Sequence, residues 1–539
     1  MRRGVSALGA GAVLTAAALT TGCAPGPAAP EPEPVPEETV DPFELFVGQQ
    51  VDWETCYDGA EVDEFVEEYR DWGADPDWKA ALECGTVTVP VDYELPEGET
   101  IDLALVRVPA DGPQEERVGS LVLNPGGPGQ SGVEMLDFPR FSDEVRSAFD
   151  LVSFDPRGVG DSQGFACGDW EAVNEEVEDV EVGDLTGLPE ERVASLEEDV
   201  RAYVDDCVDT VGEGFLANMG TVNVARDLDV LRGALGDDRL TYVGYSYGTY
   251  IGSLYAEMFP DHTRALILDG AVETERPNVE VGIDQGLAFQ ATWEDFVGHC
   301  AENASFCAFD GVAGSQQRME QILTWLDEEP FTVEDLTVDG PAFVGMLAME
   351  LYNEFTWVYL ADMLAYMSVE DRAATEYYLG FMYENTYAWL DEEEDGKDAN
   401  APLVAVNCAD RDDPEDIGVY FEAVDGMEED SPLFGAGAVW GNVLCAYWPE
   451  TETAPTGFTA PDAPPVVVAG NVGDPATPYA WSQELAEQLD TATLVTYEGS
   501  GHTIYGHGVS TCIDDPLDGY LLTGTVPEEG LSCPQVDLG

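Results

Sequence analysis

The stretch Leu240–Pro260, LTYVGYSYGTYIGSLYAEMFP, decides how this chain is read. It opens as an apolar strand, LTYVG, and passes within three residues into an apolar helical pattern, GTYIGSLYAEMF. At the break sits Ser246, flanked by Gly244 and Gly248 in a G-x-S-x-G pattern. A sharp strand-to-helix turn with small shoulders lifts a serine oxygen above the end of a sheet, where it can act as a nucleophile. In a chain with 56 glycines the pattern alone is weak. The strand before it and the helix after it favour the nucleophile over a small residue in a tight turn.

A serine hydroxyl is a poor nucleophile without a base, and the candidates are four: His262, His299, His502 and His507. With such an elbow the triad runs serine, acid, histidine along the chain, the last two following late strands. This order leaves His502 and His507. In TLVTYEGSGHTIYGHG, His502 comes two residues after a glycine-bounded strand end and is the preferred base, with His507, five residues on, a neighbouring loop residue. His262 and His299 read as surface or cap residues. The acid must accept the Nδ1 proton and hold the imidazole in the tautomer that serves as base. VVVAGNVGDPATP offers Asp474 just past the preceding strand; Asp462, before that strand, is a poorer choice. Two backbone amides would hold an oxyanion: that of Tyr247, after the nucleophile, and that of Gly127 in the loop NPGGPGQSG (Asn124–Gly132).

Short Val-, Leu- and Ile-rich runs with turn signals at their ends recur: TVTVPVDY, IDLALVRV, GSLVLNPGG, FDLVSFDPRG, LTYVGYS, ALILDG, PVVVAGNVGD and TLVTYEGSGH. Helical patterns lie between several of them, such as VASLEEDVRAYVDDCVDTV and NVARDLDVLRGALG. The fold class expected is α/β, a mostly parallel, doubly wound sheet with an inserted, largely helical cap. Expected boundaries are an export signal over 1–22, a tether over 23–42, sheet domain over 43–276, cap over 277–457, and the rest of the sheet domain over 458–539. The cap's stripe FVGMLAMELYNEFTWVYLADMLAYM reads mostly as its own core.

Arg2 and Arg3 followed by an apolar run of small residues form the export signal. It ends on TTGC, which resembles a lipobox with Cys23 as the lipidated residue and membrane anchor; ordinary secretion is the alternative. APGPAAPEPEPVPEETV then forms a tether with no means of building a core. Of eleven cysteines, ten remain beyond Cys23, an even number suited to disulfides in an oxidising compartment. The simplest pairing is local: Cys56–Cys84, Cys167–Cys207, Cys300–Cys307, Cys408–Cys445 and Cys512–Cys533. With 109 acids against 20 bases, a formal charge of −89 excludes nucleic acid as a partner. The acids are dispersed, as on a solvated surface suited to salt. No metal or organic cofactor is needed for this chemistry.

Taken in order, NPGGPG, FDPRGVGDS, GYSYGT, RALILDG, GDPATP and GHT resemble the tripeptidyl aminopeptidase branch of the α/β-hydrolases, exported actinobacterial serine peptidases akin to proline iminopeptidases. The resemblance implies Ser246 as nucleophile, Asp474 as orienting acid and His502 as base. It also implies release of short peptides, often tripeptides, from free N-termini. FDPRGVGDS is read as structural, Asp155 pairing with Arg157 beside the oxyanion turn. Asn124 and Pro125 stand where proline iminopeptidases carry a histidine before the Gly-Gly-Pro-Gly turn, which argues against single-proline specificity. An ester or thioester hydrolase on the same triad is the first alternative, and a non-catalytic envelope binding protein the second. Cap carboxylates are natural partners for a substrate ammonium, and Glu350 and Glu354, four residues apart, are expected on one helix face, but as two acids among dozens they are not assigned to the site. The negative field is expected to raise the pKa of His502 and move activity to higher pH.

Overall fold

The computed structural model describes residues 46–536, apart from 71–72, 139, 169–184, 304–306, 335, 384–399, 450 and 452–453. The export signal, the tether and Cys23 lie outside the described residues.

In chain order the strands are β1 (Glu54–Thr55), β2 (Glu83–Pro90), β3 (Thr100–Val108), β4 (Gly119–Asn124), β5 (Phe149–Phe154), β6 (Leu240–Tyr245) and β7 (Thr263–Asp269). A separate hairpin of β8 (Phe331–Val333) and β9 (Leu336–Val338) follows, and then β10 (Val466–Gly473), β11 (Ala492–Ser500) and β12 (Ser532–Cys533). All but the hairpin join one sheet, in the order β1-β2-β3-β5-β4-β6-β7-β10-β11-β12. From β5 to β12 every pairing is parallel, while β1, β2 and β3 add an antiparallel edge.

The sheet is covered on both faces, which is why β4, β5 and β6 are buried at every position and read as unbroken apolar runs. Alternate residues feed two layers. Leu121, Leu123, Val243, Ile267, Val467 and Ala469 pack with Val145, Ile513 and Leu517 of the helices Asp143–Ala148 and Thr511–Thr523. Val122, Tyr242, Leu266, Leu268, Val466 and Val468 pack with Leu228 and Leu231 of Thr221–Ala234, and with Ile251 and Leu254 of Tyr247–Met258. Truncating any one of these leucines to alanine would cost about 2–5 kcal/mol.

Between β7 and β10 the chain is mainly helical, from Asn278–Asn303 through Gly340–Glu350 and Trp357–Met367 to Gly435–Trp440. Trp293, Phe296, Trp325, Phe343, Met346 and Trp357 form a core of its own here, so the aromatic and Met-rich stripe is largely internal. The helices Asn400–Asp410 and Ile417–Gly426 instead join the sheet's layer through Ala405, Ile417, Tyr420 and Val424. All five locally expected disulfides form. Among the described residues no helix is long and apolar enough to cross a membrane.

One expectation fails in this segment. Glu350 and Glu354 do not share a helix: the first ends Gly340–Glu350, and the second opens a separate turn, Glu354–Thr356, capped by the Asn353 side chain on the Phe355 N–H at 3.0 Å. Asn353 is extended, at φ −135°, so the helical register is lost between the two carboxylates.

Candidate active site

Strand β6 ends at Tyr245 and the next helix starts at Tyr247, leaving Ser246 alone at the corner with φ 53° and ψ −125°. A non-glycine residue there is strained by roughly 1–3 kcal/mol, and its surroundings hold it. The Ser246 N–H donates to the Asp269 carbonyl of β7 at 2.9 Å. The two glycines are steric requirements: a Cβ at 244 would lie 2.2 Å from the Gly248 carbonyl oxygen, and one at 248 would lie 2.8 Å from Asn124 Oδ1.

The loop after β4 packs directly on this corner. A Cβ at Gly126, whose φ is 103°, would fall 2.5 Å from the Tyr245 oxygen, 2.8 Å from Ser246 Cβ and 3.1 Å from the Tyr247 nitrogen. Gly127 follows at once, so its amide and that of Tyr247 belong to one small region. Tyr247 opens its helix, so its N–H has no carbonyl one turn earlier to receive it. Asn124 Oδ1 accepts the Gly126 N–H at 3.1 Å, and Asp155 accepts Ser131 Oγ at 2.7 Å and the Val133 N–H at 3.0 Å. The expected Asp155–Arg157 pair is not formed. Arg157 makes a bidentate pair with Asp227 at 2.8 and 2.6 Å and reaches the carbonyls of Pro90, Val91 and Asn218. The neighbours in FDPRG point apart, since Asp155 faces the loop after β4 and Arg157 the helix Thr221–Ala234.

On the far side of the corner, His502 Nδ1 faces the Asp474 carboxylate at 2.9 and 3.0 Å, with the imidazole 10% exposed and Asp474 1% exposed. Asp474 is itself fixed in the turn after β10. It accepts the N–H groups of Ala476 and Thr477 at 3.0 and 2.8 Å and the Thr477 hydroxyl at 3.0 Å. Burial disfavours a charged imidazole at this position, but Asp474, by charge and hydrogen bond, and Asp269, by charge, outweigh it and raise the pKa of His502 above the usual histidine value. The shift therefore has two named local causes, Asp474 and Asp269. The neighbourhood of His502 and Ser246 is shared through β7: a Cβ at Gly270 would lie 3.2 Å from His502 Cε1, and the preceding residue, Asp269, binds the Ser246 N–H.

The remaining histidines stand apart from that pair. His507 is exposed, 3.5 Å from Thr503 Oγ1, with its ring against Tyr245. His262 Nδ1 contacts Asp229 at 2.8 Å, and His299 lies beside Trp357 in the insertion. Four residues not singled out for this role by sequence converge on the His502 loop. Asp269 Oδ2 accepts the N–H groups of Ile504 and Tyr505, both at 2.8 Å. Asn471 Nδ2 donates to the carbonyls of Gly501 and Thr503 at 2.8 and 3.0 Å. Tyr352 and Glu354 arrive from the insertion. Asp269 and Asn471 carried a usable signal, a polar residue closing an apolar strand; Tyr352 and Glu354 carried none.

A parallel sheet with a serine at a β6 corner, and a histidine–carboxylate pair on the loops after β10 and β11, defines the α/β-hydrolase fold. Family models agree: one described as "alpha/beta hydrolase fold" matches residues 119–306, and one described as "TAP-like protein" matches 431–533. The chain is 38% identical over 467 residues to a protein of Mycobacterium tuberculosis named Serine protease Hip1, covering 84% of this chain and 87% of that one. It is 32% identical over 480 residues to the Tripeptidyl aminopeptidase of Streptomyces lividans, covering 86% of each. A Mycobacterium tuberculosis protein named Carboxylesterase B is 34% identical over 500 residues, covering 90% of each. The chain belongs to the tripeptidyl aminopeptidase-like family of serine hydrolases within the α/β-hydrolase fold.

Proposed function

We propose that the protein is an exported serine peptidase that releases short peptides, tripeptides foremost, from free N-termini. Ser246 is the nucleophile, His502 the base and Asp474 the carboxylate that orients the imidazole. His502 takes the Ser246 proton as the oxygen attacks the peptide carbonyl, and the amides of Tyr247 and Gly127 receive the developing oxyanion. Proton return to the leaving amine gives an acyl-enzyme, which water hydrolyses by the same route. The observation that carries this reading is the His502 Nδ1–Asp474 contact at 2.9 Å, which leaves Nε2 free to serve as base on the side away from Asp474. The residues 277–457 act as a cap that limits what reaches the serine. Export rests on the N-terminal signal, with Cys23 as lipid anchor or, failing processing there, release as a secreted protein.

A fluorophosphonate probe should label the wild type and not Ser246→Ala, and the variant should lose at least about 10⁴-fold in kcat. On an Ala-Pro-Ala anilide the product should be the intact tripeptide. Labelling that survives the substitution would overturn the nucleophile. The relative named as a carboxylesterase favours an ester hydrolase as second reading; faster turnover of a butyrate ester than of the anilide would select it.

A further inference from the structure

The insertion does more than lie over the sheet: it takes hold of the loop that carries His502. The His502 N–H donates to the Tyr352 carbonyl at 2.8 Å, and the Tyr352 ring stands edge-on to the imidazole with centroids 5.1 Å apart. Behind Tyr352, Phe289 of the helix Asn278–Asn303 packs at 6.0 Å, linking that ring to the insertion's frame. Two residues on, Glu354 is 3% exposed and lies against the end of β11. Its Oε2 accepts the Ser500 N–H at 3.0 Å and Gln535 Nε2 at 2.7 Å, and its Oε1 accepts the Tyr497 hydroxyl at 2.9 Å. Between these anchors, a Cβ at Gly501, whose φ is 102°, would lie 2.8 Å from the Tyr352 oxygen. Ser500, Gly501 and His502 are thus each met by the segment Tyr352–Glu354.

A loop held this way has a reason to need holding. Thr503 is β-branched and sits at φ 62°, a conformation such residues rarely adopt and one that costs about 1–3 kcal/mol. Asp269 and Asn471 grip the loop from the sheet, but their bonds go to Gly501, Thr503, Ile504 and Tyr505. The insertion meets the two N–H groups on either side of Gly501: Tyr352 accepts that of His502 and Glu354 that of Ser500. Burying a carboxylate is costly unless its lone pairs are filled, and Glu354 fills them with donors from β11 and the C-terminal segment rather than from its own turn.

We infer that Tyr352–Glu354 is a positioning strap through which the insertion fixes the imidazole of His502, so that the segment above the sheet supplies part of the catalytic geometry. The inference rests on His502 being the base. A strap acts on the chemical step, whereas a lid that merely admits substrate acts on binding, and the two separate in kinetics. The groups facing the imidazole are Asp474 and the Thr477 hydroxyl after β10, Asp269 on β7, Tyr352 of the insertion and, by charge, His507 on the same loop; Asp474 is the nearest charge, so a displaced ring leaves Asp474 first and its pKa falls.

The test uses the full enzyme with the Ala-Pro-Ala anilide. Glu354→Ala should lower kcat by about 10²-fold, as ångström-scale misplacement of a catalytic group does, with KM within about twofold. The acid-side midpoint of kcat/KM should move to lower pH, and fluorophosphonate labelling should slow by the same factor as kcat. Glu354→Gln, which keeps an oxygen for Ser500 and Gln535, should recover most of the rate. Thr186→Val, removing a hydroxyl contact to Asp425 elsewhere between insertion and sheet domain, should leave rate and midpoint unchanged. A raised KM with unaltered kcat, or a wild-type midpoint and kcat in Glu354→Ala, would overturn the strap. If Glu354→Ala does not fold, Tyr352→Leu decides: an unaltered kcat and midpoint there overturn it equally. Activity surviving Ser246→Ala would instead sink the triad, so the two failures are distinct.

Discussion

At the scale of single residues, the site is a set of strained or buried groups, each held by a named partner. Ser246 keeps its left-handed φ because Gly244, Gly248 and Gly126 leave room around it and Asp269 takes its N–H. Asp269 is the more exacting case. Burial pushes its pKa up to about 7, against the lowering effect of the two amides it accepts and of His502, and its Oδ1 has no hydrogen-bond partner among the described residues. Since the folded value exceeds the unfolded one of about 4, its contribution to stability is complete below pH ~4 and is lost as pH rises through 7. Asp269→Asn keeps an acceptor for the two N–H groups and carries no charge. It should therefore gain stability over the wild type between pH 5 and pH 9, by on the order of 2 kcal/mol; melting curves at both pH values that differ by a constant gap would contradict this. The same change removes a negative charge that raises the pKa of His502, so the acid limb of activity should shift to lower pH. For His502 the signs oppose one another. Its raised pKa favours the folded state at low pH, an advantage that fades as pH rises through that pKa, while the role of base proposed for it requires the neutral ring.

At the scale of elements, the eight strands that carry the sheet were legible because each is a short apolar run closed by a turn signal. The two-residue strands β1 and β12 and the hairpin β8–β9 were not, since two or three residues carry no period. Strand β12 exists through its partners: it pairs with β11, and Cys533 bonds Cys512 of the helix Thr511–Thr523. That closure, across 21 residues, stabilises by about 3 kcal/mol in the chain-entropy picture. Replacing both cysteines by serine should lower stability by that order in denaturant unfolding with little change in KM, because the pair lies on the sheet face opposite the helix Tyr247–Met258. A loss of less than about 0.5 kcal/mol would mean the helix and β12 hold each other without the bond. The pairing of Arg157 shows the limit of local reading: adjacent residues in FDPRG looked like partners, yet the guanidinium found Asp227 seventy residues away. Removing either member of that buried pair would strand the other, at about 3–5 kcal/mol.

At the scale of the whole molecule, 109 acids and 20 bases leave self-repulsion as a standing cost of compactness. Salt shortens the screening length from about 10 Å at 0.1 M to about 3 Å at 1 M. The melting temperature should accordingly climb by several degrees between about 0.05 M and 2 M sodium chloride, and a flat profile would show that the charges are already balanced by their dispersion. For His502 the named upward causes are local, Asp474 first and Asp269 second, acting against burial.

The sequence by itself marked the sheet's eight main strands along the chain, the sharp strand-to-helix corner at Ser246, the turns that carry Asp474 and His502, and five local cystines. Each of these depends on short-range pattern, on chain order or on proximity along the chain. Only the tertiary structure decided that the His502 loop is gripped from two sides, by Asp269 and Asn471 from below and by Tyr352 and Glu354 from the insertion. Tyr352 is 150 residues from His502 in the chain, and Glu354 one acid among 109. No periodicity or motif singles out a side chain whose role is created by the surface that folds against it.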